Sequence, residues 1–346
     1  MSLLKKAATF TVFTVGQEDK SLTAQELKKL VQKQVIPVIE GTIAQDAFGF
    51  CSMEDLFEVG VTESGGVLGF GIRHDGKKIS KALAKRLFDE QFAEMKETAK
   101  LERRKITKED KKLLKEKIEG DLYLKAKPEE KHYEVIWDTR NNLIYVGSGS
   151  GKIVAGAQET FMKALPTVKF DLWDPISEKT KHVPEMKGTP ENFQNAFFTW
   201  IFKETKINPS RCWNPMTVKL INDDATITVK GDTSVSLETF FSLLASRLVD
   251  GLDMGYKIDE EHKIEVTLQR GSWAIKKLKI MPEMNFETTD AAIFERAGSF
   301  KEFLDLFQGL VQEFEAVRND EKSNREFWKS IKDMSNDRIK REFVEA

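Results

Sequence analysis

The sequence predicts an α+β fold of antiparallel hairpins with helices packed between them and one projecting helical arm. Three pairs of β-branched or aromatic runs, each split by a turn signal, predict the hairpins. They are 133–138 with 143–148 around Thr139-Arg140-Asn141-Asn142, 217–221 with 226–230 around Asn222-Asp223-Asp224, and 263–269 with 272–281 around Arg270-Gly271. Helical periods fall between these hairpins rather than between single strands, so a doubly wound parallel sheet is disfavoured. The arm is predicted by a long basic stretch of helical period with a break in its middle.

In chain order, residues 8–15 read as a strand. Thr23 and Glu26 make a capping box, in which each side chain satisfies a backbone donor at the start of a helix that runs to about Gln34. Residues 65–73 read as a second strand. Ile79, Leu83, Leu87, Phe92, Met95 and Ala99 set a helical period over 78–104. Thr107 and Asp110 cap a second helix carrying Leu113, Leu114, Ile118 and Leu122. The pair forms an antiparallel arm whose apolar stripe needs burial within the hairpin or against a partner. Helices are further predicted over 155–165, from Thr189-Pro190, over 235–249, and from a Ser299/Glu302 cap through Phe314. From Asn319 the chain is charged and balanced, a terminal helix or a frayed tail. The division expected is a central part (1–75 and 128–170), the arm (76–127), a second hairpin-rich part (171–281), and C-terminal helices with the tail (282–346).

The chain has 346 residues, 40% of them hydrophobic, enough for a sizeable core. It carries no apolar run of the ~20 residues that a bilayer-spanning helix needs and no signal peptide, so a cytoplasmic location is expected. Net charge is −2, but it is segregated: Lys77 to Lys117 holds 15 Lys/Arg against 8 Asp/Glu. That local +7 leaves −9 elsewhere, and between Gln34 and Ile72 there are six acids and no Lys or Arg. Segregation of this kind points to a basic surface for a polyanion; a solvated helical hairpin is the plain alternative.

Catalytic patterns are not found. Gly147-Ser148-Gly149-Ser150-Gly151-Lys152 misses the phosphate-loop spacing, because Val146 and Ile153 stand where that motif needs Gly and Ser or Thr. It reads as a strand-to-helix connection. The four histidines lack metal-ligand spacing, and Cys51 and Cys212 are too few for a thiolate site or a disulfide framework. No cofactor, no metal and no catalytic residue is expected.

Three stretches resemble one known family. They are Arg103-Arg104-Lys105-Ile106-Thr107-Lys108 with the Leu113-Leu114-Lys115-Glu116 that follows, Ile136 to Val146 with its Trp137-Asp138-Thr139 and Asn142-Leu143-Ile144, and Ile275-Lys276-Lys277-Leu278-Lys279-Ile280. Their order and spacing are similar to those of the recombination-associated nucleoid protein family RdgC, from about residue 66 to 318. The resemblance implies a subunit that pairs at two ends into a ring around duplex DNA. It implies binding without sequence preference in the nucleoid, and modulation of RecA-mediated recombination and replication-fork processing, with RecA met through shared DNA.

The DNA-contacting candidates are Arg103, Arg104, Lys105, Lys108, Lys276, Lys277 and Lys279, with Lys230 matching a family loop lysine. On a strand Lys277 and Lys279 share one face. The aromatic that docks into the partner subunit in the family falls on Lys127 here, and Tyr123 is the candidate to replace it. Some family labels say exonuclease. A nuclease with unrecognised carboxylates, or an interaction protein using the acidic N-terminal part, are the alternatives.

Overall fold

The computed structural model describes residues 3–16, 23–34, 36–177, 193–207, 213–221, 226–230, 248–257, 262–269, 271–282 and 286–344. Twelve strands make one sheet ordered β2-β4-β5-β6-β1-β12-β11-β10-β8-β9, with β3 on β4 and β7 on β1, and every described pairing is antiparallel. The strands are β1 (Ala7–Gly16), β2 (Asp46–Cys51), β3 (Thr62–Ser64), β4 (Val67–Lys77), β5 (Pro128–Asp138), β6 (Leu143–Val146), β7 (Lys169–Leu172), β8 (Trp213–Ile221), β9 (Thr226–Lys230), β10 (Leu248–Lys257), β11 (Lys263–Gln269) and β12 (Ile275–Met281). The described helices are α1 (Ala24–Lys33), α2 (Lys81–Leu101), α3 (Lys108–Lys125), α4 (Gly151–Ala164), α5 (Phe193–Ile207), α6 (Thr289–Asn319) and α7 (Glu321–Val344).

Strand β1 organises the molecule because both its faces are buried. Phe10 and Val12 belong to the core under α5 and α6, where Phe10 lies 4.4 Å from Phe300. Phe13 and Val15 belong to the opposite core, under α1 and α4, with Phe13 edge-on to Phe161 at 6.2 Å. Residues 8–15 are β-branched or aromatic except for Ala8, the composition that strands favour, which is why the strand is legible from composition. Its first half pairs with β12 and its second half with β7, while β6 runs along the other edge.

Two of the three expected capping boxes form: Thr23 with Glu26, and Thr107 with Asp110. The three expected hairpins pair as β5–β6, β8–β9 and β11–β12. Gln194 on α5 holds the last turn, accepting from the Gly271 amide at 2.7 Å and donating to the Ser272 carbonyl at 2.9 Å.

Several expectations are corrected. The second strand is Val67–Lys77, and Gly65 and Gly66, with φ of 53° and 80°, form a two-residue turn to β3 instead. Strand β2 was not anticipated. The helix expected over 155–165 starts at Gly151, so the glycine run ends in its first turn. Leu248 and Val249, expected to end a helix, open β10; the rest of that stretch and Thr189-Pro190 lie outside the described residues. Ser299 and Glu302 cap nothing. Helix α6 is capped eleven residues earlier, where the Thr288 hydroxyl accepts from the Ala291 amide, and the Ser299 hydroxyl donates to the Glu295 carbonyl in mid-helix. The charged tail continues as α7, with Phe327 and Ile331 buried.

Candidate nucleic-acid interface

The arm grows from the end of the longest ladder in the sheet. β4 and β5 pair without interruption from Val67↔Asp138 to Lys77↔Pro128, and α2 and α3 follow from those two strand ends. Helix α2, at 21 residues, carries the tip about 30 Å away at 1.5 Å per residue. Lys77 fastens the base. Its side chain is buried, and its ammonium donates to the Thr42 carbonyl at 2.7 Å and the Tyr123 carbonyl at 2.9 Å. Tyr123 sits in the last turn of α3, where a cation also meets the negative end of the helix dipole.

At the tip α2 ends in a Schellman arrangement. The Arg103 amide donates to the Lys100 carbonyl at 3.2 Å and the Arg104 amide to the Ala99 carbonyl at 3.0 Å. Arg103 has φ 52°, the left-handed position that glycine usually fills. Arg104 is committed to local structure, bonded to Glu102 at 3.1 Å and to the capping Asp110 at 3.0 Å. Hydrogen bonds from the Thr107 backbone and side chain, then Arg104, hold the Asp110 carboxyl below its ordinary range. Arg103, Lys105 and Lys108 are exposed, with no carboxylate partner among the described residues. The tip thus separates the predicted cations into three open charges and one structural one.

Further down the arm many charges cancel: Arg86 with Glu90, Lys112 with Glu116 and Lys115 with Glu119 form i,i+4 pairs. The apolar stripe is only partly covered. Ala99, Leu114 and Ile118 are buried, whereas Leu101 and Leu113 are exposed. A groove of about 390 Å³ opens between the helices, lined by Ile79, Ala84, Phe88, Ile118 and Lys115.

The second group lies on β12, in the middle of the sheet. Ile275 and Leu278 both face the core although they are three residues apart, because the register shifts against both neighbours: between Ala8 and Phe10 on β1, and between Glu265 and Thr267 on β11. This β-bulge leaves Lys276, Lys277 and Lys279 off the core side. Lys276 donates to Gln269, and Lys279 pairs with Glu265 at 2.9 Å. Lys277 is exposed and has no such partner among the described residues. The registers Val135↔Val146↔Thr11 and Ala7↔Lys279 place Lys279 on the arm-ward side of that row.

Lys230 closes β9 at the far edge of the sheet, and its side chain lies outside the described residues. The eight candidate cations therefore occupy an arm tip, a central strand and a sheet edge, with no single cluster.

The glycine run lies beside this strand. A side-chain carbon added at Gly149 would meet Lys276 Cε at 3.3 Å and Thr9 Cγ2 at 3.4 Å. Lys152 turns instead to Asp46, at 2.6 Å, where His74 also binds at 2.7 Å. Burial raises the Asp46 carboxyl, but bonds from Lys152 and His74 outweigh it and hold the pKa below the usual value. This Lys–Asp–His trio, with Phe48 stacked on His74 at 4.5 Å, was not anticipated, since its members are scattered in sequence. Among the described residues no group of three or more His, Cys, Asp or Glu side chains is placed to hold a metal, and no helix is long and apolar enough to cross a membrane. Cys51 is buried, which pushes its thiol up to about 12.

A family model described as "RdgC: Putative exonuclease, RdgC" matches residues 8–186, from the first strand through the arm and past β7. No curated protein matches the chain.

Proposed function

The chain belongs to the RdgC family, and from that premise we propose that it binds double-stranded DNA without sequence preference, as a homodimer. The observation that carries this reading is the tip of the arm: Arg103, Lys105 and Lys108 stand exposed and unpaired among the described residues, at the end of a segment of net charge +7. Flexible cations on a projecting tip suit phosphates, whose contacts give affinity and orientation but no sequence information. Lys277 adds an open cation on the sheet. Lys276 and Lys279, already bonded to Gln269 and Glu265, would have to exchange those partners. Arg104 supports the tip rather than the ligand, and Lys230 remains a proposed contact at the sheet edge.

The half-covered stripe of the arm favours a second copy as its cover, with Tyr123 at the arm base as the proposed docking aromatic. In the cell such a protein would sit on the nucleoid and act on RecA-mediated recombination and replication-fork processing by occupying the shared DNA. The test is titration of two unrelated duplexes, with and without magnesium. Equal affinities and intact DNA are expected. A preference for one sequence would overturn the reading, and magnesium-dependent loss of labelled DNA would replace it with a nuclease.

A further inference from the structure

Among the described residues three non-glycine side chains have positive φ: Arg103, Asn142 and Lys277. Asn142 lies in the β5–β6 turn, where asparagine tolerates that conformation. The other two are open cations, each in a backbone position that would suit glycine better. Strain held at a residue whose charge is otherwise unused points to a role for the direction in which the side chain is aimed. At the tip the Schellman motif explains the conformation. On β12 the strand itself must be bent, and β-bulges re-aim side chains in this way.

The bulge is held from the neighbouring strand. Thr9 on β1 is buried, and its hydroxyl accepts from the Lys277 amide at 3.1 Å. This replaces the ladder bond that the extra residue loses. The Thr9 methyl and the end of the Lys276 stem both lie against Gly149, at 3.4 and 3.3 Å from where a side-chain carbon there would stand. Two residues along β1, the Thr11 hydroxyl donates to the Ser148 carbonyl at 2.8 Å and fixes the glycine run. The two threonines thus pin the bulge and the loop beside it.

We propose that Thr9 is a positioning residue for DNA binding, holding the β12 bulge so that the Lys277 ammonium is presented, unpaired, to a phosphate. The inference rests on the DNA-binding reading above. It goes beyond that reading in assigning a role to a buried neutral side chain that touches no DNA.

The experiment measures the slope of log affinity against log salt for the full chain on a duplex. Lys277→Ala should flatten the slope by about 0.9 for each phosphate that Lys277 neutralises. Thr9→Val, close in shape but without the acceptor, should flatten it by the same amount, and Thr9→Ser should restore the wild-type slope. Lys277→Gly, which suits the left-handed backbone, should lose the same slope and stay folded, separating the charge from the strand. A Thr9→Val protein that is folded by circular dichroism and keeps the wild-type slope while Lys277→Ala loses it overturns the positioning role and leaves DNA binding intact. If Thr9→Val does not fold, Thr9→Ala, which also lacks the hydroxyl, takes its place: a folded Thr9→Ala protein with the wild-type slope overturns the role. A wild-type protein with no salt-dependent binding overturns the DNA reading itself, and this inference with it.

Discussion

Arg103 puts a charged side chain where helix C-termini ordinarily place glycine. For an L-residue the left-handed conformation costs about 1 kcal/mol or more relative to glycine, and Arg103 adopts it with φ 52°. Arg103→Gly should therefore raise the melting temperature of the isolated protein slightly while weakening duplex binding. A fall in both would place Arg103 in the structure of the tip. Arg104 should behave oppositely. Its guanidinium serves Glu102 and Asp110, so Arg104→Ala should loosen the tip and alter the salt slope less than Lys105→Ala or Lys108→Ala.

Asp138 shows the same logic inside the sheet. Its carboxylate is fully buried in the β5–β6 turn. Burial raises its pKa, but the Arg140 guanidinium at 2.9 Å, the Asn141 amide at 2.7 Å and the Arg140 backbone amide hold it below the ordinary value. With the folded pKa depressed, the carboxylate's contribution is complete above the unfolded value of about 3.9 and fades as pH falls through the lower, folded value. Asp138→Asn should cost on the order of 1–3 kcal/mol at neutral pH, since it removes a charged acceptor from several donors. Denaturant melts should show the gap to wild type closing as the solution is acidified below about pH 4.

Elements whose signals are local were legible. The two capping boxes, the arm helices and the three hairpin pairs each rest on a few neighbouring residues. Elements defined by distant partners were not. Strand β2 exists because Phe48 packs on His74 and because Gly49 and Gly156 leave room for Ile36 and Phe48, none of which spacing reveals. Strand β10 contains Gly251 and Gly255, poor strand formers, and is held between β8 and β11 on both sides. Ser299 and Glu302 had the pattern of a cap, but Ala292, Ile293 and Ala297 are buried upstream and tertiary packing carries α6 through the false signal.

The candidate interface was legible as charge but not as availability. Which lysine has a carboxylate beside it depends on cross-strand register, as for Lys279 and Glu265. Lys77 was counted as one more arm cation, yet it is the buried clasp of the arm. Lys77→Met would leave two carbonyls unpaired, for about 1–3 kcal/mol. Hydrogen exchange should then quicken in the last turn of α3 and around Thr42. Unchanged protection at both places would show that the arm is oriented by its helices alone.

The molecule divides its charge. The arm carries the excess of cations, and the acids between Gln34 and Ile72 sit on the body around β2, β3 and β4. The tip of a single arm offers three open cations, and behind it Arg86, Lys100, Lys112 and Lys115 are tied into i,i+3 or i,i+4 pairs. Useful affinity at physiological salt thus favours two arms acting together. The exposed Leu101 and Leu113 and the groove beside Phe88 give a second copy something to cover. Sedimentation should find a dimer at micromolar concentration, and a monomer there would defeat the homodimer.

Two protomers, each contributing the three open cations of its tip and Lys277, would engage about eight phosphates, so affinity should fall roughly ten-thousandfold between 50 and 200 mM salt. Dimerisation adds a signature that a monomer lacks. Below the concentration at which the dimer dissociates, the number of phosphates per binding event halves, and the magnitude of the salt slope should drop toward about half its value. A slope that stays constant across the dissociation range would mean that each subunit binds DNA alone.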